Sequence, residues 1–441
     1  MNNSFIQRPL TAVIQGGQVP NGRVRVSGAK NAATRLLAGS LIADQPVLLE
    51  NFPTELVDAR YKQAFIQACG GSVTFDTTAE TAYIDAKNYA CSPADDVFCP
   101  IRTTYLLVPG LVKRNGYASI PYPGGCKIGQ RGFDLHLHIW EQLGATVTAK
   151  EHTIEVKAPN GFTAGEINFP ISTIGGTENA LICASTIPET TRIRNAYISP
   201  EVDCLIDFLR SLGVKIEVEG NSFINVAGKA KLIGSIFTVI PDRIEALTWL
   251  VYAALSRGNV TIEETPLKSM RIPLLHIKEA GIDFYSNSHN IRIEKGVLRS
   301  GRIQPFELAT GTHPGVISDM QPFYVLLGLH ADGISRIYDY RYPERINYCQ
   351  ELSKFYPGML EFSEGRVTTR GRVEVKPIAS NSVSTDLRGS MALVLAALLA
   401  EGKSEIKHAE MALRGYNKLP QKLRSLGIEI DLLEERVDQP A

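Results

Sequence analysis

The chain has 441 residues, with 46 basic and 46 acidic side chains that leave it with no net charge. That length exceeds one ordinary core and predicts two domains of about 200 residues each. The charge balance argues against a protein that coats nucleic acid, which needs a basic excess, so anion recognition is expected to be local and the ligand small.

Residues 1–10 are polar and lack the apolar stretch of a secretory signal, and no run is long enough to span a bilayer. The expectation is a cytoplasmic protein with no membrane or nucleic-acid partner, monomeric or weakly self-associating. Seven cysteines, Cys69, Cys91, Cys99, Cys126, Cys183, Cys204 and Cys349, are scattered without a Cys-x-x-Cys pair. Neither a disulfide framework nor a zinc site is indicated.

Ala12 to Val26 reads as strands. From there one pattern recurs six times: an apolar helical run, a break, a β-branched strand, a second helix, a small-residue turn and two strands. The turns carry Gly70, Gly144, Gly213, Gly281, Gly358 and Gly427, spaced 74, 69, 68, 77 and 69 residues apart. A period near seventy marks a repeated supersecondary unit. In the third unit Asn179 to Ser185 is the apolar helix, Arg192 to Asn195 a strand and Glu201 to Leu212 an amphipathic helix. Val214 to Val218 and Phe223 to Val226 follow as a hairpin. The corresponding first helices at Ala246 to Leu255 and Met391 to Leu399 are apolar all round, which predicts buried helical centres.

Six units divide into two groups of three, with the junction near Val239, Ile240 and Pro241. Residues 30–240 are expected to form the first domain. Residues 1–29 and 241–441 form the second, with the N-terminal strands closing it. Asp431 to Ala441 reads as a short, mostly polar tail.

Pro123 to Arg131 places the Cys126 thiol on a loop with three glycines, flanked by Lys127 and Arg131. Glycine lets backbone close over a ligand, and nearby cations favour the thiolate. Five units also open with charged or polar residues just before their buried helix: Lys30 and Asn31; Arg102; Asp242, Arg243 and Glu245; Asp319, Met320 and Gln321; Asp386 and Arg388. Helix N-termini attract anions, so converging openings suit a multiply charged ligand, with Arg131, Arg345 and Arg414 adding to the field. Each Asp equally fits an N-cap, and each Arg an ion pair.

Eight segments together resemble the enolpyruvyltransferases: Val26 to Ala33, Pro123 to Arg131, Asp134 to His136, Ile174 to Asn179, Pro241 to Glu245, His313 to Gln321, Asp386 to Arg388 and Arg414 to Tyr416. They occur in the family's order across nearly the whole chain. The resemblance implies an α/β fold of two inside-out α/β barrels, each of three βαβαββ-type repeats. It also implies transfer of the enolpyruvyl group of phosphoenolpyruvate to a sugar-nucleotide hydroxyl, with release of phosphate through a tetrahedral intermediate. The resemblance is strongest to members acting on the 3-hydroxyl of UDP-N-acetylglucosamine, the first committed step of peptidoglycan precursor synthesis.

The same resemblance implies residue roles. Lys30, Arg131 and Arg414 would bind the phosphate of phosphoenolpyruvate, and Arg345 and Arg388 its carboxylate. Asp319 would take or orient the hydroxyl proton, and Cys126 would protonate the methylene carbon. Asn31, Arg102, Thr173, Ile174 and Gly175 join the substrate-binding set, the last three at the nucleotide diphosphate. No cofactor or metal is implied, and members with this cysteine are alkylated by fosfomycin.

Four positions depart from the family pattern. Gly132 and Arg35 stand where proline is usual, Pro343 to Ile346 replaces Glu-Asn-Arg-Phe, and Thr173 to Gly175 replaces Ser-Val-Gly. A paralogue using another nucleotide or sugar acceptor therefore remains open. An inactive binding paralogue and an RNA-end-processing relative are further alternatives. Retention of Lys30, Cys126, Asp319, Arg388 and Arg414 opposes the first, and neutral charge the second.

Overall fold

The computed structural model describes residues 9–90, 101–122, 124, 133–295 and 301–434. They form two compact units, one drawn from residues 28–240 and the other from 9–27 and 241–434.

In the 28–240 unit the Lys30–Gly39, Val108–Asn115 and Ile174–Ala184 helices are the buried elements. The last is buried from Gly176 to Ala184, as a helix without a polar stripe must be. Three sheets surround them. One runs Ser235–Thr238, Val47–Glu50, Thr81–Asp85, Ser72–Asp76; the second Tyr117–Pro121, Thr153–Lys157, Thr146–Ala149. The third runs Lys215–Glu219, Phe223–Ala227, Thr190–Arg194, Glu166–Asn168. The unit's last strand pairs in parallel with Val47–Glu50 near its start, so the first and third repeats are tied together.

The other unit repeats this plan around the Arg243–Leu255, Gln321–Leu329 and Leu387–Leu399 helices, all buried along most of their length. Here the N-terminal segment supplies two strands. Asn21–Arg25 pairs in parallel with Asn259–Glu263, and Leu10–Gln15 lies antiparallel to Lys403–Lys407. Each unit has its own continuous apolar core. All six repeat glycines adopt φ between 71° and 97°, the left-handed geometry that ends a helix without a Cβ clash.

Two expectations need correction. Asp431–Glu434 is not tail but a strand, paired antiparallel with Leu10–Gln15, with Leu432 partly buried against the core of the same unit. The buried helices also begin about one turn before their apolar runs, at Ile174, Arg243 and Leu387. The first turn of each holds polar or glycine residues, so hydrophobicity alone starts the helix late. Among the described residues no helix is long and apolar enough to cross a membrane.

Candidate active site

In the unit built from 241–434, three of the expected residues meet directly. Asp319 lies in a 3-10 turn that leads into the Gln321–Leu329 helix, and Arg388 in the first turn of Leu387–Leu399. Arg345 Nη1 donates to Asp319 Oδ1 at 2.7 Å, and Arg388 Nε to Asp319 Oδ2 at 3.3 Å. Arg345 Nη1 also donates to Ser318 Oγ at 3.2 Å, and Ser318 is hydrogen-bonded to Asp339. Both arginine side chains are almost fully shielded, at 5% and 1% exposure, while Asp319 keeps 25%.

Asp386 holds this arrangement from below. Its Oδ1 accepts from the backbone N–H groups of Arg388 and Gly389, both at 3.1 Å, capping the helix that carries Arg388. It also stands 3.9 Å from Arg345 Nε. Asp242 caps the neighbouring buried helix in the same way, through Ile244 and Glu245. The N-cap reading of these two aspartates therefore holds, while Asp319 is instead the shared partner of two guanidinium groups.

The Arg388 guanidinium lies over the Tyr416 ring, 5.4 Å from its centroid, and Tyr416 is hydrogen-bonded to Thr248 at 2.8 Å. Gly415 permits this approach, since a Cβ there would come within 2.6 Å of Leu387 and 3.1 Å of Arg388 Nη1. The Arg414 to Tyr416 segment is thus seated against the Arg388 helix, with Arg414 half-buried at the end of Glu410–Leu413. Burial opposes the charge on both shielded arginines. Asp319 and Asp386 beside Arg345, and Tyr416, Asp319 and Asp242 around Arg388, nevertheless hold both above their ordinary value. Arg388 Nη1 and Arg345 Nε are buried without a hydrogen-bond acceptor among the described residues. Two permanent cations side by side form a setting suited to an anionic group such as a carboxylate.

The 28–240 unit holds a second group. Lys30, the first residue of its helix, is paired with Asp58 at 2.9 Å, and Asn31 follows it half-buried. Thr173 caps the helix that starts at Ile174, its hydroxyl accepting from Gly176 N–H at 3.4 Å. Tyr105 and His136 stack with ring centroids 3.6 Å apart, against Gly175, where a Cβ would lie 2.5 Å from the tyrosine oxygen. Burial, with Arg102 nearby, pushes the His136 imidazole down to about 3, so it is neutral at physiological pH. Arg102 opens the 3-10 turn Arg102–Leu107 and is half-buried. Arg35 pairs with Glu178, which is completely shielded from solvent. Burial pushes the Glu178 carboxyl up against the pull of Arg35.

Cys126, Arg131 and Gly132 lie outside the described residues. Asp58 and Tyr105 are not singled out by the sequence, and Glu178 and Tyr416 enter there only as members of matching segments, without a role of their own. Each sits in or beside a matching segment or on a facing helix, but only spatial pairing gives it a partner. Among the described residues no group of three or more His, Cys, Asp or Glu side chains is placed to hold a metal ion.

A family model for EPSP synthase (3-phosphoshikimate 1-carboxyvinyltransferase) matches residues 14–423. The chain belongs to this family. It is therefore a carboxyvinyl-transferring enzyme, as the resemblance implied. UDP-N-acetylglucosamine 1-carboxyvinyltransferase of Paracoccus denitrificans (strain Pd 1222) is 32% identical over 428 residues, which is 97% of this chain and 99% of the relative. The protein of the same name from Koribacter versatilis is 34% identical over 427 residues, 96% of each chain. Among solved structures, the enolpyruvyl transferase NikO from Streptomyces tendae superposes with a TM-score of 0.86 at 24% identity, covering 97% of this chain and 100% of that one. EPSP synthase from Acinetobacter baumannii gives 0.72 at 16%, covering 96% and 99%. These structures establish the fold of this carboxyvinyltransferase-family chain as the family's pair of inside-out α/β barrels.

Proposed function

We propose that the chain transfers the enolpyruvyl group of phosphoenolpyruvate to the 3-hydroxyl of UDP-N-acetylglucosamine and releases phosphate. The acceptor is favoured by the relatives of that name at 32% and 34% identity over nearly the whole chain. The observation that carries the reading is Asp319 held between Arg345 and Arg388. A carboxylate base beside two shielded guanidinium groups suits a reaction in which a hydroxyl is deprotonated next to a bound carboxylate.

In this scheme Arg345 and Arg388 bind the carboxylate of phosphoenolpyruvate, and Lys30, Arg131 and Arg414 its phosphate. Asn31, Arg102 and Thr173 to Gly175 contact the sugar nucleotide. The acceptor oxygen adds to C2 of phosphoenolpyruvate as its proton passes to Asp319, and C3 takes a proton from Cys126. Loss of that C3 proton then expels phosphate from the tetrahedral intermediate and regenerates the double bond. Cys126 also forms the adduct site for fosfomycin. Domain limits of 30–240 and of 1–29 with 241–441 belong to this reading, as does a cytoplasmic place at the first committed step of peptidoglycan precursor synthesis.

An acceptor panel with phosphoenolpyruvate present, scored by phosphate release, tests the substrate. Turnover is expected with UDP-N-acetylglucosamine. Turnover with another nucleotide sugar alone would instead favour the paralogue reading, which the substitutions Gly132 and Thr173 to Gly175 raise.

A further inference from the structure

Arg35 lies in the second turn of the Lys30–Gly39 helix, five residues after Lys30. Its Nε donates to both oxygens of Glu178, at 3.0 and 2.9 Å. Its Nη1 donates to Thr34 Oγ1 at 3.0 Å, and that hydroxyl donates to the carbonyl of Lys30 at 3.1 Å. Lys62, itself buried, donates to the Thr34 carbonyl at 2.6 Å. A continuous chain of hydrogen bonds therefore runs from Glu178, through Arg35 and Thr34, to the backbone of Lys30.

Glu178 stands four residues after Ile174, one turn into the helix that Thr173 caps. The ion pair thus joins the second turns of two helices whose first turns carry Lys30 and Ile174 to Gly175. Both helices pack against Pro200–Ser211 and against the 102–107 turn. Arg35 to Glu178 is a direct polar tie between them. With the side chains 14% and 0% exposed, desolvation offsets much of the Coulomb attraction, so such a pair contributes fixed geometry more than stability. Geometry at this point matters, because a displacement of about 1 Å at a binding group is enough to cost a large part of its effect.

We infer that Arg35 is a positioning residue that fixes the Lys30 turn against the Thr173 to Gly175 turn and so sets the spacing between the phosphate and nucleotide-diphosphate ends of the substrate site. The inference rests on the functional reading above, in which Lys30 holds the phosphoenolpyruvate phosphate and Thr173 to Gly175 the diphosphate.

The test is steady-state kinetics of the full chain with phosphoenolpyruvate and UDP-N-acetylglucosamine, comparing it with Arg35→Lys and with the double variant Arg35→Met/Glu178→Met. Replacing both charges avoids leaving one buried and unpaired. The double variant is expected to raise KM for both substrates by about tenfold with kcat changed less than about threefold, the signature of lost uniform binding. Arg35→Lys keeps the charge but not the fork, and should restore part of the loss. Unchanged KM values in a folded double variant, beside a fully active parent, overturn the inference while leaving the function intact. If the double variant does not fold, unchanged KM values in Arg35→Lys overturn it instead. A parent chain that releases no phosphate with phosphoenolpyruvate and UDP-N-acetylglucosamine defeats the functional reading and this inference together.

Discussion

Asp319 is bound at both oxygens, 2.7 Å from Arg345 Nη1 and 3.3 Å from Arg388 Nε. Both oxygens are thus engaged by guanidinium groups, and a ligand anion that competes for those groups would release the carboxylate. In the proposed reaction, binding of the phosphoenolpyruvate carboxylate and release of Asp319 would then be one event.

Asp319→Asn should lower kcat by about 10²- to 10⁴-fold, the usual contribution of a positioned general base. KM for phosphoenolpyruvate should stay the same or fall, because the amide no longer competes as an anion for Arg345 and Arg388. Steady-state phosphate release separates the two parameters. A rise in KM with kcat preserved would assign Asp319 to substrate binding.

Asp386 acts through the helix it caps. Asp386→Ala removes the acceptor for two backbone N–H groups and should cost about 0.5–2 kcal/mol, whereas Asp386→Asn keeps a capping oxygen and most of that stability. Thermal unfolding of the three proteins checks this. Equal losses in the alanine and asparagine variants would show that the charge facing Arg345, at 3.9 Å, matters more than the cap.

Acid should destabilise the fold through its buried histidines. His136 is pushed down to about 3 and His330 to about 4, in each case first by burial. The unfolded chain keeps ordinary imidazoles near 6.5, so below that pH it binds protons that the folded chain refuses. Stability is therefore full above about pH 6.5 and falls toward pH 4, by up to about 1.4 kcal/mol per pH unit for each histidine. Unfolding curves from pH 7 to pH 4, compared with His136→Gln, should show a shallower fall in the variant. An identical slope would remove His136 as a cause.

Thiol chemistry should be selective. Cys69, Cys183, Cys204 and Cys349 are buried, and burial pushes Cys204 up to about 11 and Cys349 up to about 12, where the thiolate is scarce. Fosfomycin is expected to add a single equivalent, mapped to Cys126, and to abolish turnover. Cys126→Asp should retain activity without the adduct. Intact-mass and peptide-mass measurements decide it, and full activity with no mass gain after prolonged incubation would contradict the assignment.

The repeats were legible in the sequence because each unit has a local grammar: an apolar helix, an amphipathic helix and a glycine that takes positive φ. The charged openings were legible for the same reason, and Asp319, Arg345 and Arg388 meet as a group although 69 residues separate the first from the last. The pairings themselves were not. Arg35 and Glu178 are 143 residues apart, and nothing local to either names its partner. Asp386 and Asp319 look alike as acidic residues at helix openings, and only the direction of each side chain separates a cap from a shared counter-ion. Asp431–Glu434 was missed because its strand is short and pairs with the other end of the chain.

The central claim is tested most directly by incubating the full chain with phosphoenolpyruvate and UDP-N-acetylglucosamine, then quantifying phosphate and sugar nucleotide by mass in the same reaction. One phosphate should appear for each enolpyruvyl-bearing sugar nucleotide, and Asp319→Asn should suppress both together. Phosphate release without that product, or no release while the folded chain binds both substrates, would contradict it.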